Sequence, residues 1–388
     1  MLFYLLGLFA FPVLSKLTVL DFGHIFAVLL WSVAQWTPWV GIKKPCQHYA
    51  WRQFSSLETP PETVLQIQTI SVQDHKEDVL GHLERKYGKS WINRPVLFRG
   101  LWDSKSMSDS NRRLSLEGLL KLNLTVPYFS DSRRLDALTP DAEAPVKDIV
   151  QNITMGSPHK FGTQLLVQSY PELINEVAPV KLITKLFGNH FRRRDILGVG
   201  NTLGIFPGTT TVPIFCAGTL TSGESDRSPR RSSAEENDKV KAQEFSCDTN
   251  REPRSSNHPV TGLHCEPIGN VAVQLCGSRQ WTLIDPEHSK MLMPSLDPDG
   301  RGFFASWVEN FDHVPRYHIT TYAGDAVWVP TWTWHRVDYI GRNGKGASIS
   351  IGASLFHFRP LEFMGRNPLY SLLILPALIK ELMGISTQ

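Results

Sequence analysis

Short apolar runs, separated by turn residues, dominate the chain between residues 95 and 356. Apolar and polar positions alternate in most of these runs, and β-branched and aromatic side chains are frequent, which is typical of half-buried strands. Many short strands at regular spacing predict a mainly β fold, either a sandwich or a barrel. The predicted strands are 95–100, 165–170, 211–219, 261–266, 270–276, 279–285, 318–324, 325–330, 333–340 and 345–356.

Helical spacing of apolar residues is found mainly outside this β-rich region. Residues 74–88 place Leu80, Leu83 and Tyr87 on one stripe, and residues 115–122 and 180–188 also predict helices. The C-terminal region, 359–388, contains an apolar run that Pro376 divides and that carries two charges on its distal half. We expect an apolar C-terminal helix that packs on the domain or pairs with a second copy in a homodimer.

The first 41 residues form a distinct apolar segment. The run 17–41 is long enough to cross a bilayer, and it ends in three tryptophans followed by two lysines, which resembles an interfacial belt. Asp21 is costly at that depth. We expect residues 1–44 to anchor the protein in a membrane or to target it to the endoplasmic reticulum or secretory pathway, with the side of the membrane left open. The alternative is an apolar helix packed on the domain.

One internal stretch, residues 221–258, is poor in apolar residues and rich in Ser, Arg, Glu and Asn. Such a composition cannot bury a core and predicts a disordered surface insertion. A basic partner-binding site at Arg227, Arg230 and Arg231 is the alternative.

Composition narrows the class of protein. The chain has 388 residues, of which 20% are charged and 41% hydrophobic, so it is globular rather than disordered, collagen-like or coiled-coil. Forty basic and 37 acidic residues give a net charge of +3, which indicates no nucleic-acid partner. The five cysteines form no CxxC pair, which argues against a disulfide scaffold and a structural zinc site.

Candidate chemistry begins in the run TGLHCE at 261–266. Residues two apart on a strand point to the same face, so His264 and Glu266 converge while Cys265 points away. His335 starts another strand-like run and is a candidate for the third ligand. Two histidines and one carboxylate form the facial triad of non-haem Fe(II) oxygenases, which leaves open positions on the metal.

The order of residues around these three resembles a known family. The residues in order are Thr261, His264, Glu266, Asn270, Gly277, Arg279, Trp281, Pro286, Gly324, Asp325, Pro330, Trp334 and His335. This order is similar to the cupin-like JmjC group of Fe(II)/2-oxoglutarate-dependent oxygenases, and most similar to the factor-inhibiting-HIF type hydroxylases. Upstream, the runs 94–102 and 211–219 resemble the family's early strands, so the resemblance covers about 90–356.

The resemblance implies a double-stranded β-helix, the cupin or JmjC jelly roll, with flanking helices at 45–358. It implies that His264, Glu266 and His335 hold Fe(II). Thr261 and Arg279 would bind the distal carboxylate of the co-substrate 2-oxoglutarate, and Asn270 would be a further polar contact. The implied reaction is hydroxylation, or demethylation by the same chemistry, of a protein side chain or a small molecule. Trp281 and Trp334 would be core aromatics.

Two departures from the family keep other functions open. Glu266 replaces an aspartate and is one methylene longer, and Arg279 replaces a lysine and needs a wider slot. One alternative is a catalytically inactive cupin-like binding module anchored at a membrane. Another is a cupin metalloenzyme that does not use 2-oxoglutarate. Because residues 221–258 precede the strand with His264, we hypothesise that they border the mouth of the site.

Overall fold

The structure is a computed structural model that describes most of the chain from residue 64 onward. Its described ranges are 64–103, 112–133, 139–179, 209–219, 258–296, 303–306, 311–340 and 349–382, with a few isolated positions such as 26, 29–30, 182–183, 186 and 308. The predicted anchor at 1–44 and the predicted insertion at 221–258 lie outside the described residues, apart from such isolated positions. Both therefore stay predictions.

Two large β-sheets form from the strands within these ranges, and the prediction of a mainly β fold is confirmed. The strands are β1 Val64–Leu65, β2 Gln68–Ser71, β3 Val96–Arg99, β4 Thr125–Tyr128, β5 Ala142–Pro145, β6 Lys160–Thr163, β7 Thr209–Thr211, β8 Ile214–Gly218, β9 Val260–Cys265, β10 Gly269–Cys276, β11 Ser278–Ile284, β12 Pro294–Leu296, β13 Phe304–Ser306, β14 Arg316–Tyr322, β15 Ala326–Val329, β16 Trp334–Ile340 and β17 Ile349–His357. One sheet has the order β1-β14-β11-β16-β9-β13-β12, and the other has the order β2-β3-β15-β10-β17-β8-β6. Two facing sheets of this size are consistent with a cupin-type jelly roll.

The helices lie outside the two sheets. The α-helices within the described ranges are Val79–Tyr87, Leu116–Leu119, Val146–Thr154, Leu165–Ser169, Ile174–Val177, Pro360–Arg366 and Pro368–Leu382, and the 3-10 helices are Trp91–Asn93, Pro171–Leu173 and Pro286–Leu292. The helix Val79–Tyr87 starts five residues later than the run predicted at 74–88, because the Asp78 carboxylate accepts the Gly81 N–H and caps the helix there.

Side-chain alternation explains how the sheets pack. In β14, Tyr317 and Ile319 point inward and are buried, whereas His318 and Tyr322 point outward and are exposed. The central strand β10 is buried on both faces. Its Ala272 faces the space between the sheets, and its other face packs with the N-terminal helices.

The C-terminal helices pack beside the strands that carry the candidate ligands. Phe363, Leu369 and Tyr370 are buried in one cluster with Trp332 and Trp334, which flank β16 at its start. The helix Pro360–Arg366 and the first part of Pro368–Leu382 therefore lie against this sheet. Among the residues that the structure describes, no helix is both long and apolar enough to cross a membrane.

One predicted strand is wrong. Residues 165–170 form the helix Leu165–Ser169, in which the adjacent Leu166 and Val167 are both buried and Leu165 is 37% exposed. A short apolar run fits the edge of a buried helix as well as it fits a strand, so periodicity alone could not separate them. The sequence analysis also missed the strand β6, which begins at Lys160 and pairs with β8.

Candidate metal centre

The two candidate histidines lie on neighbouring antiparallel strands. His264 on β9 and His335 on β16 are direct partners in register, and their ring centroids are 4.1 Å apart. The register then shifts by one residue, because Gly262 and Leu263 of β9 lie opposite the single residue Arg336 before Val337 pairs with Thr261. The pairing of two strands that are distant in the sequence therefore brings the histidines together.

Glu266 follows the last residue of β9. Its backbone carbonyl accepts the Trp332 N–H at 2.9 Å, which ties this position to the turn before β16. Its carboxylate Oε1 lies 3.8 Å from His264 Nε2. Cys265, between the two, is fully buried in the cluster beneath the C-terminal helices. The predicted alternation of these three side chains is thus present, although Glu266 lies just beyond the strand.

Hydrogen bonds orient both imidazoles for metal binding. His264 Nδ1 lies 2.8 Å from the Gly262 carbonyl, and His335 Nδ1 lies 3.1 Å from the Thr333 carbonyl. A carbonyl only accepts, so each Nδ1 carries the proton and each Nε2 keeps its lone pair for a metal. Burial lowers the pKa of His335 to about 4, against the smaller raising effect of the Thr333 hydrogen bond, so this imidazole is neutral at pH 7.

The donor set fits a divalent transition metal. One ligand atom from each of His264, Glu266 and His335 lies within 4.8 Å of the other two. Among the described residues, no other three metal-binding side chains come this close together. Imidazole nitrogen suits Fe, Zn, Cu and Ni. Two imidazoles together with one carboxylate form the facial triad of non-haem Fe(II) sites. His335 is buried, whereas His264 and Glu266 are partly exposed, so a ligand can approach from the side of these two.

A cavity of about 90 Å³ extends from these three residues between the sheets. All six residues predicted for the site line it, including the predicted co-substrate contacts Thr261, Asn270 and Arg279. The remaining lining residues are Phe215, Trp281, Val337, Tyr339, Ser354 and Phe356. One cavity thus has the candidate metal ligands and the candidate anion-binding residues on its walls.

Arg279 is an interior residue of β11, not a surface residue at a strand end. It is 2% exposed, and its guanidinium lies against the rings of Tyr339 and Phe215, at 5.2 and 5.8 Å. Its Nε donates to Ser350 Oγ at 3.2 Å, and no carboxylate pairs with it among the residues that the structure describes. Burial lowers the pKa of Arg279, but an arginine stays charged, so an anion in the cavity would stabilise it.

Gly352 on β17 leaves the space that the guanidinium of Arg279, which is wider than the ammonium of a lysine, requires. A β-carbon at this position would lie 2.7 Å from both terminal guanidinium nitrogens. It would also lie 2.7 Å from the Val273 carbonyl oxygen, so any larger residue would displace the guanidinium and disturb the pairing of β17 with β10. The replacement of lysine by arginine and the glycine opposite are complementary in shape.

Two further polar groups face the cavity. Asn270 is 4% exposed, and its Oδ1 has no hydrogen-bond partner within the described part of the chain. A buried amide oxygen without a partner is costly, so a ligand that donates to it would be favoured. Thr261 Oγ1 lies 3.2 Å from the Tyr339 hydroxyl.

The sequence analysis missed Lys160 and Tyr339. Tyr339 alternates with Val337 on the strand that begins with His335, so the period of two could have identified it. Lys160 lies in a short strand that no hydrophobic pattern indicated. Its Nζ donates to the Val260 carbonyl at 3.0 Å and to Thr261 Oγ1 at 3.2 Å.

Other residues that carried the resemblance have structural roles. Asp325 accepts hydrogen bonds from Arg99, the Gly100 N–H and the Tyr322 N–H, and so ties β3 to the turn before β15. Trp334 is a core residue and donates to Ser289 Oγ at 2.8 Å. Trp281 is also buried, but its ring lies 6.3 Å from that of His335 and lines the cavity.

Comparison with known proteins agrees with this geometry in its coarse features. A search of curated proteins found no match to the chain. The family model described as a cupin-like domain matches residues 223–354. The match spans β9 to most of β17 and includes His264, Glu266 and His335. The chain therefore contains a cupin-like domain at 223–354, with a His-Glu-His group placed to bind a metal ion.

Proposed function

We propose that this protein is an Fe(II)/2-oxoglutarate-dependent oxygenase that hydroxylates a protein side chain, or demethylates one by the same chemistry. The observation that carries the proposal is the composition of one cavity. It has two imidazoles and a carboxylate within 4.8 Å of one another on one wall, and a buried arginine without a carboxylate partner among the described residues on another. Such a cavity suits a ligand that chelates a metal at one end and carries an anion at the other.

The residues divide the work as follows. His264, Glu266 and His335 would hold the metal, which when bound supplies the activation of O₂ and the oxidation of a C–H bond. Arg279 would pair with the distal carboxylate of 2-oxoglutarate, because arginine presents two parallel N–H donors to a carboxylate. The Thr261 hydroxyl and the Asn270 side-chain N–H groups would donate further hydrogen bonds, whereas Asn270 Oδ1 is an acceptor that 2-oxoglutarate, which has no donor, does not satisfy. Trp281 and Val337 give the cavity apolar walls.

The first test is binding of 2-oxoglutarate to the full chain without oxygen, with Mn(II) in place of Fe(II). We expect saturable binding that requires the metal. His264→Ala should abolish it, because a facial site with two remaining ligands holds the metal poorly, and Arg279→Met should weaken it. His313→Ala is the matched control, since His313 is exposed and does not line the cavity.

Each outcome of this experiment decides between the functions. Metal-dependent binding in the wild type, followed by O₂-dependent formation of succinate, supports the oxygenase. Metal binding without 2-oxoglutarate binding would favour a cupin metalloenzyme of another kind. A folded protein that binds neither ligand would be an inactive binding module, and the search would turn to a partner protein.

A further inference from the structure

Lys160 is a buried cation that the proposed function leaves unused. It lies on β6, is 6% exposed, and places its ammonium 4.5 Å from the centre of the Phe129 ring. Its two hydrogen bonds go to neutral oxygens, the Val260 carbonyl and Thr261 Oγ1. Within the described ranges, no carboxylate forms an ion pair with it. A buried ammonium in such surroundings costs stability and calls for an explanation.

The second buried cation, Arg279, lies close enough to affect Lys160. The pKa of Lys160 is lowered to about 7, mainly by burial and then by the charge of Arg279. The nearby Tyr339 and Cys216 do not offset these charges. Burial raises the pKa of the Cys216 thiol, so it is neutral, and the Tyr339 hydroxyl is a hydrogen-bond partner of Thr261. Two positive groups thus lie near one end of the cavity: Arg279 lines it, and Lys160 lies behind the lining residue Thr261. In the described part of the chain no acidic side chain forms an ion pair with either.

Thr261 connects Lys160 to the cavity. Its hydroxyl lines the cavity and accepts a hydrogen bond from Lys160 Nζ. The Tyr339 hydroxyl, 3.2 Å away, can donate to the same oxygen. A hydroxyl has one proton and two lone pairs, so a threonine that accepts from both neighbours directs its own proton to a third group. In this position, that third group is a ligand in the cavity.

We propose that Lys160 is a positioning residue, which fixes the Thr261 hydroxyl as a donor to the anionic end of the ligand and adds a second positive charge there. This inference rests on the proposed function, in which that anionic end is the distal carboxylate of 2-oxoglutarate. A purely structural lysine would stabilise the fold. A lysine kept for a ligand destabilises the unliganded protein and acts only when the anion is bound.

The test compares two α-keto acids that differ at one end. 2-Oxoglutarate has a distal carboxylate, and 2-oxopentanoate has a methyl group in its place. We would measure the Kd of both with the full chain and Mn(II), without oxygen, for the wild type and for Lys160→Met, Thr261→Val and the double variant. Lys160→Gln serves if Lys160→Met does not fold. Lys147→Met, an exposed lysine on the helix Val146–Thr154, is the matched control.

We expect Lys160→Met to raise the Kd for 2-oxoglutarate about 10- to 100-fold, as for the loss of a hydrogen bond to a charged group. The Kd for 2-oxopentanoate should stay within about twofold, and the unliganded variant should unfold at a higher temperature than the wild type. In the Thr261→Val background, the same substitution should cost less than it does in the wild type, because Lys160 acts through Thr261.

Three results would overturn the inference while the proposed function stands. These are an unchanged Kd for 2-oxoglutarate in Lys160→Met, an equal loss for both keto acids, and full additivity in the double variant. If the wild type binds no 2-oxoglutarate with Mn(II), the proposed function fails and the inference falls with it.

Discussion

At the residue scale, the position of the Arg279 guanidinium depends on the absence of a side chain at Gly352. We expect Gly352→Ala to displace the guanidinium, because the new β-carbon would lie 2.7 Å from both of its terminal nitrogens, and to shift the strand locally, because it would lie equally close to the Val273 carbonyl oxygen. The affinity for 2-oxoglutarate should fall about tenfold or more, which corresponds to the loss of roughly one charge-assisted hydrogen bond. Isothermal titration with Mn(II) measures the change.

The matched control for this substitution is Gly365→Ala. Gly365 is exposed in the helix Pro360–Arg366, and a β-carbon there meets nothing within 4 Å. An alanine in a helix is also favoured over glycine. If both variants bind 2-oxoglutarate as the wild type does, Gly352 does not set the position of Arg279.

The pH dependence of co-substrate binding follows from Lys160. Its pKa is about 7 in the unliganded protein, because burial and Arg279 disfavour the charged form, and a bound carboxylate would raise it. Above pH 7, binding therefore requires uptake of a proton, and the Kd for 2-oxoglutarate should rise with pH. Lys160→Met should have a flatter profile between pH 7 and 9, measured in buffers of different ionisation enthalpy.

The same pKa gives a stability test with a defined sign. The unfolded chain keeps the lysine protonated up to its ordinary pKa of 10.5, whereas the folded, unliganded protein releases the proton near pH 7. The unfolded state binds more protons between these values, so the free energy of unfolding rises with pH in this window. If the free energy of unfolding changes with pH by the same amount in the wild type and in Lys160→Met, the pKa of Lys160 is not lowered in the folded protein.

The six site residues predicted from the sequence all line one cavity, whereas Lys160 and Tyr339 were missed. His264 and Glu266 were predictable because they lie two residues apart in one run, and the period of a strand places them on one face. Lys160 contacts Thr261 across 101 residues of sequence. A contact of that kind depends on which strands pair, and no local pattern contains that information.

At the scale of elements, the C-terminal helices support the strands that carry the ligands. Tyr370 is fully buried and stacks on Phe304 of β13 at 3.9 Å between ring centroids. We expect Tyr370→Ala to lower the free energy of unfolding by about 3 kcal/mol, because it leaves a large cavity in a packed cluster. Leu165→Ala, in another helix and 37% exposed, should cost well under about 1 kcal/mol. Equal losses in chemical denaturation would show that the helix is not packed as described.

Strands were easier to predict than their bounds or partners. The runs predicted at 270–276, 279–285 and 333–340 correspond to β10, β11 and β16 within one or two residues. The prediction of a strand at 165–170 was wrong because the apolar positions of this run fit one face of a helix equally well. The strand order was not predictable, since β9 and β16 are neighbours in the sheet although nearly 70 residues separate them in the chain.

At the scale of the whole molecule, the two sheets extend beyond the stretch that resembles known cupin-like domains. The family match covers 223–354, but β2, β3, β6 and β8 all belong to the sheet of β10 and β17. Two of these upstream strands contribute to the anion-binding end: Phe215 on β8 lines the cavity, and Lys160 on β6 bonds to the lining residue Thr261. The site is therefore complete only when the upstream strands are present.

The homodimer predicted from the sequence can be tested on the C-terminal helices. Four apolar side chains there are 37–54% exposed: Leu361, Met364, Leu372 and Leu375. We expect the protein to sediment as a dimer and the variant with Leu372→Asp and Leu375→Asp to sediment as a monomer, because charges at an apolar interface remain unpaired. Met155→Asp, at an exposed site just after the helix Val146–Thr154, is the control. If the wild type sediments as a monomer, the C-terminal helices do not form a dimer interface.

The sequence by itself determined the mainly β architecture, the two residues His264 and Glu266 on one strand face, and the third ligand His335 as a candidate. The alternation of side chains between the two faces of a strand is a local property, so residues two apart in the sequence are enough to predict it. Only the tertiary structure decided that these residues share a cavity with a buried Arg279, that Gly352 makes room for the guanidinium, and that Lys160 adds a second charge behind Thr261. Those relations arise from the pairing of distant strands, and the free energy of burying two cations depends on the neighbours that the fold places around them.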